Sequence, residues 1–171
     1  MPDSSSLLTA LREAGMRITP QRLAICSLLA SSREHPTAAQ IYNELKPRFS
    51  SLSLATVYNT LEVLVHLGAI NSLGKAGDDA VHYDADTGAH VNLACVSCSR
   101  IFDVPNRHVD PLAEEIRAAS GFRLLGARLL YYGLCPDCQK AQSQAGPSRG
   151  VPLPASKRQK PGQRDLPGGE E

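Results

Sequence analysis

Four of the five cysteines in this 171-residue sequence stand in two Cys-x-x-Cys pairs, Cys95/Cys98 and Cys135/Cys138, with the 36 residues 99–134 between them. Thiolates at this spacing suit a tetrahedral structural zinc site, because each pair brings two sulfurs onto one turn and the fold then joins the turns. The same thiols could instead form a redox switch, in which oxidation would eject the metal and unfold the site. The fifth, Cys26, stands among apolar residues at helical spacing and reads as a buried core thiol.

A second constellation has no sulfur. It comprises His82-Tyr83-Asp84, His90-Val91-Asn92, Asp103 in the next apolar run, and His35 just before Pro36. Imidazole with carboxylate suits a borderline divalent ion such as Mn(II), Fe(II) or Zn(II). His90 and Asn92 are two apart, so on a strand they share a face. Taken singly, each histidine is more often an ordinary polar residue than a ligand. A zinc hydrolase built on His35, Asp84 and His90 would also need an open coordination position and a general base. No residue stands out for that base.

The elements that must position these groups divide the chain. Lys and Arg number 18 against 17 Asp and Glu, so net charge is silent about a nucleic-acid partner. Residues 1–75 carry seven basic against five acidic side chains, and residues 76–145 six against nine, a sign that suits a DNA-facing first half. No apolar run approaches the ~20 residues of a membrane helix. Met1-Pro2-Asp3-Ser4 does not open a basic-then-apolar leader. A soluble cytoplasmic protein with no membrane partner is expected. Residues 146–171 hold five Pro and five Gly and should form a disordered tail, with a basic run at Lys157-Arg158-Gln159-Lys160.

The first half reads as four helices. Leu7, Leu8, Leu11 and Ala14 mark the first, which Gly15 ends. Thr19 caps the second, with Pro20 at its first position. Thr37 caps the third, which Pro47 stops. The fourth runs from about Ser53 to Leu67 and is closed by Gly68. On it Leu54, Val57, Tyr58, Leu61, Leu64 and Val65 form an apolar stripe, and Ala55, Thr56, Asn59, Glu62 and His66 lie opposite. The short polar side chains near its start suit a helix lying in a major groove. Runs 69–73 and 81–83 then flank a glycine-rich turn, as a hairpin wing would. Beyond it come strands at 91–95 and 100–104, a helix at 110–120 capped by Asp110 with Pro111 first, and a strand at 122–132. The predicted class is α+β: a winged helix-turn-helix domain over residues 1–80, and a small α/β dimerisation domain with a four-cysteine zinc site over residues 81–145. The second domain is too small to look self-sufficient, so a homodimer is expected.

The sequence resembles the ferric uptake regulator family over about residues 7–140. Arg17-Ile18-Thr19-Pro20-Gln21-Arg22 resembles the family's approach to the second helix. His35-Pro36-Thr37-Ala38-Ala39-Gln40-Ile41-Tyr42 resembles its His-Pro-Thr-Ala segment. Ser53-Leu54-Ala55-Thr56-Val57-Tyr58-Asn59-Thr60-Leu61 is similar to its recognition helix, and the cysteine pairs match its zinc site.

The resemblance implies a homodimeric, metal-activated repressor that binds a palindromic, AT-rich duplex. It implies a regulatory Mn(II) or Fe(II) ion held by His35, Asp84, His90, the position of Asn92, and Asp103, besides structural Zn(II) on Cys95, Cys98, Cys135 and Cys138. The ion would join the two halves and set the spacing of the two recognition helices. Aspartate at both carboxylate positions, eleven residues before Cys95 at Asp84 and again at Asp103, is similar to the peroxide-sensing branch. Asn92 departs from the usual histidine; an amide oxygen is a harder, weaker ligand, which tilts preference toward Mn(II). A further site of some members is not expected, since Ala89 and Val91 occupy its positions, and His66, His82 and His108 read as surface polar residues. On DNA, the resemblance assigns Tyr58 to a thymine methyl, Asn59 to a base edge or phosphate, Thr56 to phosphate and Arg17 to the minor groove. A metal-homeostasis regulator without peroxide sensing, and a zinc-stabilised interaction module, are the rival readings.

Overall fold

The computed structural model of the chain describes residues 3–88, 90–104, 109–124 and 127–145. Four helices come first: α1 (Ser4–Glu13), α2 (Pro20–Ser31), α3 (Ala38–Leu45) and α4 (Leu54–His66). Each begins on a side chain, Asp3, Thr19, Thr37 or Ser53, that accepts from a first-turn N–H. Such caps contribute about 1 kcal/mol apiece. At α3 the bond is reciprocal: Gln40 N donates to Thr37 Oγ1 at 3.2 Å, and Thr37 N donates to Gln40 Oε1 at 2.7 Å. That fixes the chain two residues after His35. Gly68 takes φ +68 and ends α4, its N–H donating to Val65 O while that of Ala69 donates to Leu64 O.

The helices enclose one core of Leu7, Leu11, Ile25, Leu29, Ile41, Leu52, Leu61, Leu64 and Ile70, all inaccessible. Cys26 lies inside it, and burial pushes its thiol up to about 11, so it stays protonated and inert. The apolar stripe of α4 is narrower than its sequence suggests. Val57, Thr60, Leu61 and Leu64 point inward, whereas Leu54 and Tyr58 are 40% and 43% exposed. Thr60 can take a core position because its hydroxyl donates to Thr56 O at 2.8 Å.

Strands β1 (Asn71–Gly74) and β2 (His82–Asp84) pair antiparallel as the wing, with a register shift between Ser72 and Gly74. The α2–α3 loop is stitched to β2: Tyr83 N donates to Pro36 O at 3.2 Å and Thr37 bridges His82. This brings His35 alongside Asp84.

The second half contains β3 (Val91–Cys95), β4 (Ile101–Val104), α5 (Val109–Ser120), β5 (Leu129–Gly133) and α6 (Pro136–Ala145). The sheet order is β4-β3-β5, with β4 antiparallel and β5 parallel to β3. The strand expected over 122–132 is shorter, because β3 offers partners only from Val91↔Leu129 to Cys95↔Gly133. Phe122 is left exposed outside the sheet. Helix α5 starts at Val109, so Asp110 and Pro111 occupy its first turn and not the positions expected for them. Helix α6 has no counterpart among the elements expected from the sequence. The expected tail, 146–171, together with His108 and Ala89, lies outside the described residues. No described helix is long and apolar enough to cross a membrane.

The wing and the second sheet share a small apolar cluster of Leu73, Ala76, Ala94 and Ile101, with Leu130 packed on it. Arg128 Nη1 donates to Ser72 O across the same seam at 2.9 Å. Backbone meets backbone at Gly77, which has φ +94 and where a Cβ would stand 2.7 Å from Val96 Cα. Backbone cannot yield as a side-chain tip can, so Gly77→Ala should destabilise the protein by about 1–3 kcal/mol. An unchanged urea midpoint for that variant would mean that the seam is open in solution.

Candidate metal centres

The four cysteine sulfurs lie within 4.8 Å of one another. Cys95 ends β3, Cys98 follows in the turn before β4, Cys135 follows β5 and Cys138 sits in the first turn of α6. The parallel pairing of β3 with β5 therefore carries the two pairs to the same end of the sheet. Ser99, at φ +57, closes the first turn, its N–H donating to Cys95 O at 2.8 Å. A tetrahedral site with Zn–S near 2.3 Å places its sulfurs about 3.8 Å apart; Cys98 and Cys135 stand at 3.9 Å.

The electrostatics suit a cation. Burial pushes the Cys95 thiol up, but backbone N–H groups of Cys135, Cys98 and Ser97 outweigh it and hold it at about 6. Arg100 holds Cys98 below the ordinary thiol value, its Nε 3.5 Å from that sulfur. Cys138 goes the other way: Ser97 lowers it, but the neighbouring cysteines together push it up to about 12. Four bare thiolates cannot share this space, whereas a dication satisfies all of them. This is a four-cysteine site of zinc type.

The second cluster spans the two halves. His35, His90 and Asp103 offer ligand atoms within 4.8 Å of one another. His35 Nε2 is 2.8 Å from Asp103 Oδ1 and 3.7 Å from Asp84 Oδ1. His90 Nε2 is 3.1 Å from Asp84 Oδ2 and 3.5 Å from Asp103 Oδ1. Asn92 and Asp103 are register partners on β3 and β4, which sets them side by side. His35 has φ +48, uncommon outside glycine and found at strained functional positions.

This site too fits a cation. His90 Nδ1 donates to Gly88 O at 2.9 Å, leaving Nε2 with its lone pair directed inward. Burial lowers the His90 imidazole, but the Gly88 carbonyl and the carboxylates of Asp84, Asp103 and Asp86 outweigh it, so its pKa rises. Burial likewise pushes Asp84 up, against the pull of the Asp86 N–H and both histidines. Asp84 Oδ2 and Asn92 Oδ1 are buried without a hydrogen-bond partner. Asn92 Nδ2 stands 3.1 Å from His90 Nε2. The amide is isosteric end to end, so a half-turn presents its oxygen there.

All five residues singled out for this site thus meet, with Asp84 and Asn92 flanking the tighter group of three. His82, read from sequence as a surface residue, is buried. Its Nδ1 donates to His35 O at 2.8 Å and its Nε2 is 3.1 Å from Asp78 Oδ2. The signal was available: His82 is two residues before Asp84 on one strand and shares its face. His66 is exposed, as expected. Arg17, Tyr58 and Asn59 are exposed, and Thr56 is half-buried with its hydroxyl 2.9 Å from Ser53 Oγ.

Residues 13–132 match the ferric uptake regulator family. The peroxide-responsive repressor PerR of Staphylococcus saprophyticus is 39% identical over 132 residues, 77% of this chain and 88% of that protein. The Pseudomonas aeruginosa ferric uptake regulator, solved with manganese, is similar at a TM-score of 0.63 and 29% identity over 75% of this chain and 97% of that one. The Helicobacter pylori ferric uptake regulator gives 0.67 at 20% identity over 81% and 95%, a likeness of fold alone. The chain belongs to the ferric uptake regulator family. It is a metal-dependent, DNA-binding transcriptional repressor and not an enzyme.

Proposed function

We propose that the chain is a peroxide-responsive repressor in which His35, Asp84, His90, Asn92 and Asp103 hold a regulatory Mn(II) or Fe(II) ion. One observation carries this reading: the 2.8 Å approach of His35, from the α2–α3 loop, to Asp103 on β4, within the same cluster as His90. Residues 1–80 then serve DNA and residues 81–145 serve dimerisation and metal, with strand β2 pairing back across that division. His35 and Asp84 come from one side and His90, Asn92 and Asp103 from the other, so filling the site fixes one half against the other. Closure favours the state that binds DNA. The second copy covers the exposed apolar side chains Leu93, Phe102, Tyr131 and Ile116. Two copies of α4, with Arg17, Thr56, Tyr58 and Asn59, meet a palindromic AT-rich operator in the cytoplasm.

Bound Fe(II) supplies a one-electron reductant for peroxide, which Mn(II) does not. His35 and His90 are the nearest oxidisable groups, and their oxidation would remove ligands and open the site. Aspartate at both carboxylate positions and the peroxide-responsive relatives support this signal. Asn92 favours a second reading, a manganese-responsive regulator without peroxide sensing, because an amide oxygen suits the harder ion. Mobility shifts of the zinc-loaded dimer with Mn(II), Fe(II) or Zn(II), followed by peroxide on the iron form, separate the two. Gain of one oxygen atom on His35 or His90 with release of DNA supports peroxide sensing. Unmodified protein still on DNA supports the second reading.

A further inference from the structure

Arg22 has no part in the metal sites or in the DNA contacts proposed above. It sits in the first turn of α2, and its guanidinium spans two elements. Nη1 donates to Arg17 O at 2.6 Å, and Nη2 donates to Asn59 Oδ1, on α4, at 3.3 Å. Both partners are amide oxygens, so the group is not neutralised by a carboxylate there, and its Nε is buried with no partner. A side chain held in this way behaves as a bracket: it ties the segment carrying Arg17 to the recognition helix.

We infer that Arg22 is a positioning residue that sets how Asn59 reads DNA. An asparagine can read adenine with both ends of its amide, the oxygen accepting from N6 and the nitrogen donating to N7. Here the oxygen is turned inward to Arg22, and among the described residues Nδ2 has no partner. Asn59 therefore faces outward as a donor, matched to an acceptor edge such as thymine O4 or a purine N7. The guanidinium meets the two oxygens from separate nitrogens held in one rigid plane, whereas a lysine offers a single rotating ammonium on a chain one atom shorter and does not fix the Asn59 amide in that orientation.

The inference rests on α4 being the recognition helix. Its test uses the full-length zinc-loaded protein with saturating Mn(II). Duplexes are selected from a randomised pool by the native protein, and affinities are then measured on every single-base change of the selected site. Asn59→Ala identifies the base position that Asn59 reads. Arg22→Gln and Arg22→Lys should each flatten discrimination at that same position, by about tenfold. The slope of affinity against salt should stay unchanged. Arg22→Gln combined with Asn59→Ala should be no worse at that position than Asn59→Ala alone. Uniform loss on all duplexes, with the salt slope falling by about one, would make Arg22 a phosphate ligand and overturn the inference. Native base preference in Arg22→Gln, or its full rescue by lysine, would also overturn it. If Asn59→Ala itself leaves every preference unchanged, the recognition-helix reading fails as well. Thermal melting of Arg22→Gln checks that the fold is intact.

Discussion

Cys95→Ser should release the structural metal and take the second half of the protein with it. The sheet there has three short strands, and its apolar cluster amounts to Ala94 and Ile101 beside two residues of the wing, with Leu130 at the margin. A core of that size cannot offset the entropy of ordering its chain. Structural zinc contributes roughly 10–16 kcal/mol of apparent folding free energy in small zinc domains, so the metal dominates the balance. Serine is a poor replacement, since its hydroxyl does not ionise near neutrality and oxygen is a harder donor than sulfur. The variant should lose zinc, sediment as a monomer, and be cut by protease between β3 and α6. The first half should keep much of its helix, because its core closes without any residue of the sheet. A zinc-free Cys95→Ser protein that stays dimeric with native melting would contradict this account.

The second large effect is on regulation. His35→Ala and His90→Ala should each weaken Mn(II) binding by at least about 100-fold, since loss of mere supporting partners already costs 10–100-fold in metal sites. Operator affinity should then no longer respond to added metal, while zinc content and melting stay native. Asn92→His should act in the opposite direction, because imidazole is a stronger ligand for these ions than an amide oxygen. Protons compete for the same atoms. Asp84 and His90 both have pKa values raised in the fold, so each holds its proton to a higher pH than usual. Lowering the pH therefore weakens metal binding, and raising it relieves the competition. Isothermal titration at two pH values reads both the affinity and the protons released. Retained metal response in both alanine variants would dismantle the proposed site.

What the sequence made legible follows from how local each signal is. The cysteine pairs, the caps at Thr19 and Thr37, and the stop at Gly68 depend on residues within a turn of one another, and they appear as expected. The width of the α4 stripe does not, because Tyr58 becomes surface and Thr60 core only once α1, α2 and α3 are packed against it. The length of β5 is set by its partner strand, thirty-eight residues earlier at Val91↔Leu129, and not by its own run of apolar residues. His82 shows the same limit: its two-residue offset from Asp84 gave the face, but only the docking of the His35 loop on β2 gave that face a partner.

The seam between wing and sheet has a bearing on how the molecule moves. Leu73 and Ala76 are covered by Ala94, Ile101 and Leu130, and Gly77 lies against the Val96 backbone, so the linker between the halves is not a free swivel. Any swing of one half must first wet that dry patch, and close-packed surfaces give way all at once instead of sliding by degrees. The protein should thus toggle between two discrete poses, with the ligands of the spanning site deciding only how long it dwells in each.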